Sequence, residues 1–371
     1  MAARGRNPDG ERAGQRELGL FERFPVRRVV LVVLSVGIVL GVVLGTWRTL
    51  TIPESQGRFS SSTWRDLVTL GLAQGTIYAL IALGYSLVYG ILRMINFAHG
   101  EVFMSGAYAS FFVASTLDSS GFLNRNPVLS IAILLAVSVA VSMLVALLLE
   151  RVAYRPIRGS PRLVPLITAI GASLFLQNTF RGFFGPSSRG YPSFKVLAGT
   201  WTLFGVRFLR PHVLVFVAAM ITVIGLALFV SRTRTGKSMR AVAEDQEVAA
   251  LMGINANRVI VVTFAIGGLM AGIAGVMWVL VFGQVRFDMG FVPGIKAFTA
   301  AVLGGIGSIS GAALGGLTLG LLEAVAPPLL LRGFRVPSPF QLKDVVSFTI
   351  LVLVLIFRPG GILGTGEPEK V

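Results

Sequence analysis

Long apolar runs constrain the fold of this chain more than any other feature of its sequence. A helix of about 20 apolar residues spans the hydrocarbon core of a bilayer, and lipid offers a spanning segment no hydrogen-bond partners outside its own helix. Each run therefore predicts a transmembrane helix. The runs cover residues 29–47, 67–92, 94–116, 128–149, 163–180, 211–231, 259–282, 294–331 and 344–357.

Composition supports an integral membrane protein and excludes several kinds of site. Apolar residues make up 54% of the 371 residues and charged residues only 13%, and the mean hydropathy of +0.78 is far from that of a soluble domain. The 44 glycines fit helices that pack closely in lipid. The absence of cysteine excludes disulfides, thiolate metal sites and Cys nucleophiles. Two histidines give little basis for a histidine metal site, so no cofactor is expected.

Basic residues at the ends of the runs predict the topology. The net charge of +16 comes mainly from short segments beside apolar runs, which fits the positive-inside rule and anionic headgroups better than nucleic acid. Residues 1–28 predict a disordered cytoplasmic tail. Residues 29–47 predict an uncleaved helix, because no small-residue cleavage site follows them. Two arginine-rich connectors fall on the same side as the tail. They carry Arg151, Arg155, Arg158 and Arg162, and Arg232, Arg234, Lys237 and Arg240.

The run 294–331 is too long for one ordinary helix and is interrupted by glycines. It predicts a short half-helix entering from the outside, a glycine turn at membrane depth and a full span returning outward. The C-terminus, with Arg358 and Lys370, then lies in the cytoplasm; a single crossing would put it outside. The predicted fold class is all-α, a polytopic membrane protein with about eight or nine transmembrane helices plus a re-entrant half-helix. The interrupting glycines include Gly304, Gly305, Gly307 and Gly311.

Residues 236–255 form the densest mixed-charge segment between two apolar runs and predict a short amphipathic helix. Apolar residues recur near the 3.6-residue period, and Gly253 follows the last of them, where helices commonly end in a left-handed glycine. Such a helix is a candidate contact for a soluble partner, and a solvated linker is the alternative. The apolar positions are Ala241, Val242, Val248, Leu251 and Met252.

The neighbouring sequence 235–238, TGKS, resembles part of a phosphate-binding loop. That loop needs a glycine five positions before its second glycine, where this chain has Ser231. The chain itself is therefore not expected to bind ATP.

Three polar residues between the second and third runs are candidates for a pathway or gating cluster. Asn96, His99 and Glu101 lie at a membrane boundary or within the bilayer, where ionisable groups are costly and usually face protein or water. A helix cap with interfacial hydrogen bonds is the alternative. Glu101 and Glu323 are the only plausible carboxylates within the apolar runs and form no obvious pair. No nucleophile with an orienting group accompanies them, so an enzyme is not indicated.

Four further polar side chains lie inside apolar runs. Gln74 and Tyr78, and separately Gln177 and Asn178, can hold helices together. They can instead bind the ammonium or carboxylate of a translocated solute. Both interpretations stay open at this point.

Four segments resemble the LivH-type permease family, the integral-membrane subunits of branched-chain amino-acid ABC importers. They occur in the family's order, and the similarity runs from about residue 66 to the C-terminus. The segments are residues 71–108 (GLAQGTIYALIALGYSLVYGILRMINFAHGEVFMSGAY), 150–158 (ERVAYRPIR), 240–255 (RAVAEDQEVAALMGIN) and 296–312 (KAFTAAVLGGIGSISGA).

The resemblance implies a transport subunit that is not an enzyme and that translocates branched-chain, hydrophobic amino acids across the bacterial inner membrane. It implies a LivM-type permease as heterodimer partner, two cytoplasmic ATP-binding subunits and an extracytoplasmic amino-acid-binding protein. It also implies that 236–255 is the coupling segment that docks on an ATPase. By position, the coupling residues are Glu244, Asp245, Ala249, Gly253 and Asn255. The candidate pathway residues are Gln74, Tyr78, Asn96, His99, Glu101, Gln177, Asn178, Gly304, Gly305 and Gly307.

The resemblance divides the chain into three parts and leaves two departures. The parts are a basic tail at 1–28, an extra helix with an outer linker at 29–65, and a permease domain at 66–371 with its coupling loop at 232–258. Residues 1–65 exceed the usual family core, and residues 285–290 (VRFDMG) replace a more apolar, Asn-Pro-like sequence at an outer loop. The alternatives are a urea or short-chain amide permease and, from another class, a secondary transporter or channel without ATPases, for which inverted repeats and mid-membrane carboxylates are typical.

Overall fold

The computed structural model describes residues 26–53, 59–161, 163–203, 206–358 and 360–363. Most of the predicted tail at 1–28 lies outside these residues, as do Arg162 and Lys370. The chain divides into two units, one of residues 1–58 and 328–337 and the other of residues 59–327 and 338–371.

The first unit contains helix α1, Val26–Leu50, which includes the helix predicted at 29–47. It packs against the 3₁₀ turn Arg332–Phe334. The Gly333 N–H donates to Thr49 Oγ1 at 2.8 Å, and the Arg48 guanidinium lies 5.7 Å from the centroid of the Phe334 ring.

The second unit is a helical bundle with two small antiparallel sheets. Its helices are α2 Ser61–Leu92, α3 His99–Ser119, α4 Phe122–Arg125, α5 Pro127–Leu148, α6 Leu163–Phe184, α7 Arg210–Arg232, α8 Arg234–Glu244, α9 Gln246–Leu251, α10 Ala256–Phe282, α11 Phe291–Gly304, α12 Ile309–Leu331, of which residues 309–327 belong to this unit, and α13 Lys343–Phe357. A π-helical turn, Leu149–Tyr154, and a 3₁₀ turn, Arg155–Ile157, extend α5. Its strands are β1 Arg189–Gly190, β2 Thr200–Leu203, β3 Val206–Leu209 and β4 Gln284–Val285. β1 pairs with β4, Arg189 opposite Val285, and β2 pairs with β3, Thr200 opposite Leu209.

Seven helices within the described ranges are long and apolar enough to cross a membrane. They are Ser61–Leu92, Pro127–Ile157, Leu163–Phe184, Arg210–Arg232, Ala256–Phe282, Ile309–Phe334 and Pro339–Phe357. The run predicted at 94–116 differs, because α3 begins only at His99 and does not belong to the seven. Its first turn carries His99 and Glu101, and most of its residues are buried by other helices. The protein is a multi-pass membrane protein.

Two glycine-rich helices, α2 and α10, form the buried centre of the second unit. Most of their apolar residues are buried, whereas α6 and α13 expose most of theirs. A Cβ at Gly75 of α2 would lie 2.9 Å from Leu317 Cα of α12, and a Cβ at Gly272 of α10 would lie 2.7 Å from Val139 Cα of α5. The close helix packing predicted from the glycine content is confirmed at these two positions.

The two ends of the bundle are distinct. At one end, which we call the basic end, the Arg93 guanidinium donates to the Ala243 carbonyl at 3.2 Å, and the Arg158 guanidinium donates to Asn257 Oδ1 at 2.6 Å. The end that carries β1 and β4 is the strand end. The two connectors predicted to share one side of the membrane therefore share one end of the bundle.

The run 294–331 forms the predicted short helix, α11, a glycine turn and a long helix, α12. A Cβ at Gly90, close to the end of α2, would lie 3.8 Å from Gly307 Cα, so the turn lies near the basic end. The Ile362 N–H donates to the Leu303 carbonyl at 2.8 Å. The chain as far as Leu363 therefore ends beside the same turn, at the basic end.

Candidate functional site

The predicted amphipathic helix at 236–255 is two short helices, α8 and α9, that meet at Asp245. The Asp245 carboxylate accepts hydrogen bonds from the N–H groups of Glu247 and Val248 at 2.8 and 2.9 Å, and its backbone is extended. An aspartate in this position caps a new helix in preference to continuing the old one. The prediction of one continuous helix was therefore wrong.

Two other predicted coupling residues also hold the backbone of this segment. Gly253 has φ +82, the left-handed conformation predicted for the end of the helix. Asn255 Oδ1 accepts a hydrogen bond from the Arg258 N–H at 3.1 Å and so caps α10. Asp245 thus caps the start of α9, Gly253 follows its end and Asn255 caps the start of α10. Glu244 is exposed at the end of α8, and Ala249 is buried.

The break at Asp245 changes which apolar residues face the bundle. Val242 is buried as the periodicity predicts, but Val248, Leu251 and Met252 are 55%, 87% and 78% exposed. A single periodic face requires one helix, and the extended residue between α8 and α9 resets its phase. Val248, Leu251 and Met252, which we call the α9 patch, form an exposed apolar surface at the basic end, a feature that marks interaction sites.

The segment 235–238 does not form a phosphate-binding loop. Gly236 and Ser238 lie within α8, and the Gly236 N–H donates to the hydroxyl of Thr233 at 3.0 Å as part of a helix cap. A Cβ at Gly236 would lie 2.5 Å from the Phe229 carbonyl oxygen of α7. This glycine therefore lets α8 fold directly against the end of α7.

The coupling segment borders a cavity of about 800 Å³ at the basic end. Arg93, Arg158, Glu244 and Glu247 contribute charged side chains to its wall. The cavity joins the ends of α2, α5 and α10 to α8 and α9.

Glu101 lies in a buried cluster with two residues of α6, which we call the Glu101 cluster. Its Oε1 accepts hydrogen bonds from Gln177 Nε2 at 2.8 Å and Ser173 Oγ at 3.2 Å. Its Oε2 is buried without a partner among the described residues. A Cβ at Gly290 would lie 2.5 Å from that oxygen. A buried carboxylate oxygen in this state favours a proton or a cationic group.

Asn96 and His99 lie apart from the Glu101 cluster. The Tyr154 hydroxyl donates to Asn96 Oδ1 at 2.5 Å, and α3 begins without a side-chain cap. The alternative in which Asn96 caps this helix was therefore wrong. The His99 ring packs edge-on against Tyr85 with 4.9 Å between centroids. The three predicted residues occupy adjacent sites on one short stretch but do not share one hydrogen-bond network.

A second buried network surrounds Glu323, and we call it the Glu323 cluster. Glu323 Oε2 accepts hydrogen bonds from Gln74 Nε2 and the Tyr78 hydroxyl, both at 2.7 Å. Its Oε1 forms an ion pair with Lys296 and accepts a hydrogen bond from Ser347 Oγ at 3.2 Å. The network joins α2, α11, α12 and α13. For Gln74 and Tyr78 this geometry favours the interpretation that they hold helices together.

Lys296 is the functional-site candidate that sequence reasoning missed. Its side chain is only 3% exposed and that of Glu323 only 1%, while Asp344, 45% exposed, lies 2.5 Å from the same ammonium. One cation therefore faces two carboxylates. The available signal was a lone lysine inside an apolar run, since charged residues within spans face protein partners.

Comparison with known proteins shows the family of this chain. A family model described as branched-chain amino acid transport system / permease component matches residues 67–355. The high-affinity branched-chain amino acid transport system permease protein BraD of Pseudomonas aeruginosa is 46% identical over 304 residues, which are 81% of this chain and 96% of BraD. The LivH permease protein of the corresponding Escherichia coli K12 system is 43% identical over 306 residues, 81% of this chain and 96% of LivH.

The chain belongs to this permease family. The match begins at residue 67, which agrees with the resemblance from about residue 66. Helix α1 and the residues before it lie outside the matched region. The division of the permease into a tail, an extra helix and a transport domain remains a prediction.

Residues 285–290, the segment expected to differ from the family sequence, connect the strand end of the permease to the Glu101 cluster. Val285 pairs with β1, and Gly290 lies against Glu101. Between them, Arg286 Nε donates to Asp288 Oδ1 at 2.7 Å. These hydrogen bonds lower the pKa of Asp288 from its ordinary value, although partial burial acts in the opposite direction. The two charges of the departure are paired with each other, so it adds no net charge to the loop.

Two further predicted pathway sites of the permease differ in their surroundings. Asn178 is exposed and donates to the Leu174 carbonyl of its own helix at 2.8 Å, so it does not join Gln177 in the Glu101 cluster. Gly304, Gly305 and Gly307 form the turn between α11 and α12. The Leu363 N–H donates to the Gly304 carbonyl at 2.9 Å, which anchors the C-terminal segment on that turn.

Proposed function

We propose that this permease translocates branched-chain amino acids across the bacterial inner membrane as the integral-membrane subunit of an ABC importer. The substrate class is taken from the relatives, which are named as branched-chain amino acid transport permeases. They match this chain over 96% of their own length. The basic end is the cytoplasmic end in this proposal, in accordance with the positive-inside rule.

The α9 patch is the observation that carries the proposal. Apolar side chains exposed on a capped helix outside the bilayer favour contact with another protein. We assign that contact to a cytoplasmic ATP-binding subunit, with two such subunits in the importer. Because α8 folds directly onto α7 and Asn255 caps α10, displacement of α9 by the ATPase moves both spanning helices.

We assign the remaining partners to other surfaces. A LivM-type permease would complete the pathway against the exposed helix faces, and an extracytoplasmic amino-acid-binding protein would deliver the solute at the strand end. Among the candidate pathway residues we place Glu101 and Gln177 on the route. The free Oε2 of Glu101 is suited to the α-ammonium of an amino acid.

Charge introduced into the α9 patch tests the coupling assignment. We expect the double variant Leu251→Glu, Met252→Glu, assembled with its partner subunits in proteoliposomes, to lose both leucine uptake and leucine-stimulated ATP hydrolysis. Leu363→Glu, the same kind of change at an exposed position of the basic end outside the coupling segment, is the matched control and should retain both activities. Normal uptake and stimulation in the double variant would refute the assignment.

A panel of radiolabelled solutes tests the substrate and the transport class. Leucine, isoleucine and valine should be accumulated only with ATP and both ATP-binding subunits present. Accumulation of urea but not of leucine would show that the substrate is urea or a short-chain amide and not a branched-chain amino acid. Uptake by the permease without ATP-binding subunits would indicate a secondary transporter.

A further inference from the structure

A narrow apolar groove runs between α7 and α12 from the middle of the bundle to the basic end. Residues of α2, including Ala79, form its floor, and its volume is about 500 Å³. Ile224 and Ala227 of α7 face Ala313 and Leu314 of α12 across it. Ile224 and Leu314 are about half exposed, so the groove is open along its side. We call it the α7–α12 groove.

The length of the groove matches one leaflet of a bilayer. Its wall on α7 extends from Met220 to Ser231, and at 1.5 Å per residue these positions are roughly 16 Å apart. Half of a hydrocarbon core of about 30 Å is roughly 15 Å. The groove therefore spans the distance that a single acyl chain covers from headgroup level to the middle of the membrane.

The lining of the groove is complementary to an alkyl chain. Its walls are formed mainly by aliphatic side chains and Met220, and the polar residues Ser231, Arg240 and Ser310 lie together. An alkyl chain along these walls would bury apolar surface on both sides.

The mouth of the groove is cationic and polar. Arg240 of α8 lies there beside Ser231 and Ser310, and its guanidinium donates to the Ser231 carbonyl at 3.3 Å. Arg240 is exposed, and it forms no ion pair with any carboxylate in the described part of the chain. Its remaining N–H donors are available to an anion at headgroup level, and a guanidinium binds phosphate well.

We propose that the α7–α12 groove binds one acyl chain of an anionic phospholipid whose phosphate is held by Arg240. An apolar slot of one-leaflet length with a cation at its mouth is complementary to this ligand in shape and in charge. Arg240 belongs to α8, next to the break at Asp245. A lipid bound there connects the membrane directly to the segment that contacts the ATP-binding subunits.

Native mass spectrometry of the full-length chain, delipidated and then titrated with defined lipids, tests the site. Wild-type protein should retain one dioleoylphosphatidylglycerol molecule in preference to dioleoylphosphatidylcholine. Arg240→Gln should weaken phosphatidylglycerol binding about fivefold, the effect of one basic residue at a membrane surface. It should weaken phosphatidylcholine binding less, because the choline ammonium offsets the charge of the phosphate. Arg234→Gln, an exposed arginine of α8 outside the groove, is the matched control.

Filling the slot tests the acyl-chain assignment separately from the charge. Ala227→Trp should abolish retention of either lipid, whereas Leu228→Trp, one position along and outside the groove, should not. Leu314→Trp fills the slot from the opposite wall and serves if Ala227→Trp fails to fold. Equal retention by the groove-filling variants and the Leu228→Trp control would overturn the proposal, as would wild-type affinity in Arg240→Gln.

Two further outcomes would contradict a lipid ligand. Binding of inorganic phosphate by the delipidated protein, with no retention of phosphatidylglycerol, would show that Arg240 binds phosphate without an acyl chain. Because this chain has no cysteine of its own, Ala227→Cys provides the single thiol of the permease subunit in the assembled transporter. Cross-linking of that thiol to a co-purified subunit, with loss of the retained lipid, would assign the groove to a protein contact.

Discussion

Lys296 and Glu323 place opposite charges in a part of the bundle that water does not reach. Their burial removes hydration from both groups. Their mutual attraction, the second ion pair of Lys296 with Asp344 and the hydrogen bonds that Glu323 accepts from Gln74, Tyr78 and Ser347 offset this cost. Removing one partner of such a pair leaves the other charge uncompensated. Removing both can restore much of the lost stability.

We therefore expect Lys296→Met to destabilise the permease by about 3–5 kcal/mol. The double variant Lys296→Met, Glu323→Met should recover most of that loss. Thermal unfolding of the full-length protein in detergent, followed by size-exclusion chromatography, measures both effects. Lys343→Met, an exposed lysine near the start of α13, is the control and should change stability by less than about 0.5 kcal/mol. A single variant as stable as this control would show that the pair contributes nothing.

The Arg286–Asp288 pair predicts a small pH dependence at the surface. Because its hydrogen bonds to Arg286 lower the pKa of Asp288 in the folded state, the pair stabilises the fold above the ordinary aspartate pKa near 4 and loses that effect as the pH falls through the lowered value. Arg286 is 53% and Asp288 32% exposed, so the contribution should be below about 1 kcal/mol.

Melting temperatures of wild-type protein and Asp288→Asn between pH 6 and pH 3 test this sign. The wild-type protein should be slightly more stable at pH 6, and the difference should shrink as the pH falls. Asp118→Asn, also exposed at the strand end, should show no such trend. A difference that grows on acidification would reverse the assignment of Arg286 as the stabilising partner.

The polar residues of the spans could be found from the sequence, but their partners could not. Glu101 and Glu323 are conspicuous because charges within apolar runs are rare. The hydrogen bonds that define the Glu323 cluster join residues 245 and 249 positions apart, and local periodicity carries no information about such pairs. The role of Lys296 could not be predicted for the same reason, because its partners lie on helices that meet it only in the folded bundle.

The break at Asp245 determines which side chains of the coupling segment are exposed. α9 has only six residues, and helices of that length are marginal without caps or tertiary contacts. The Asp245 cap therefore supplies a large part of the stability of α9. Periodicity alone predicted one helix, because an aspartate is tolerated within a helix and only its extended backbone reveals that it begins a new one.

Asp245→Ala should loosen α9, with a local loss of about 1 kcal/mol. Asp245→Ser keeps a capping oxygen but removes the charge. Hydrogen exchange of the backbone amides in α9 should be faster in Asp245→Ala than in Asp245→Ser. If transport in the assembled importer follows the same order, Asp245 acts through the cap. Equal loss of uptake in both variants would instead indicate that the carboxylate charge contacts the partner.

At the scale of the whole molecule, the apolar runs and glycines predicted the helical bundle well, because lipid leaves few alternatives to a helix. The positions of particular segments along the bundle, in contrast, are set by tertiary contacts. The α3 run begins inside the bundle beside Gly84, and the glycine turn after α11 lies next to Gly90. Hydropathy cannot give either position, because it measures composition and not neighbours.

The topology makes a prediction about sidedness. The coupling segment and the chain up to Leu363 lie at one end of the second unit, with Lys195 at the other. Since the permease lacks cysteine, each end can be labelled through one introduced thiol. Leu251→Cys and Leu363→Cys should react with a membrane-impermeant maleimide only after the cells are permeabilised, whereas Lys195→Cys should react in intact cells.

All three side chains are exposed, so burial cannot explain a lack of reaction. Labelling of Leu363→Cys but not Leu251→Cys in intact cells would mean that α11 and α12 together cross the membrane only once, and labelling of both would invert the orientation that the positive-inside rule assigns.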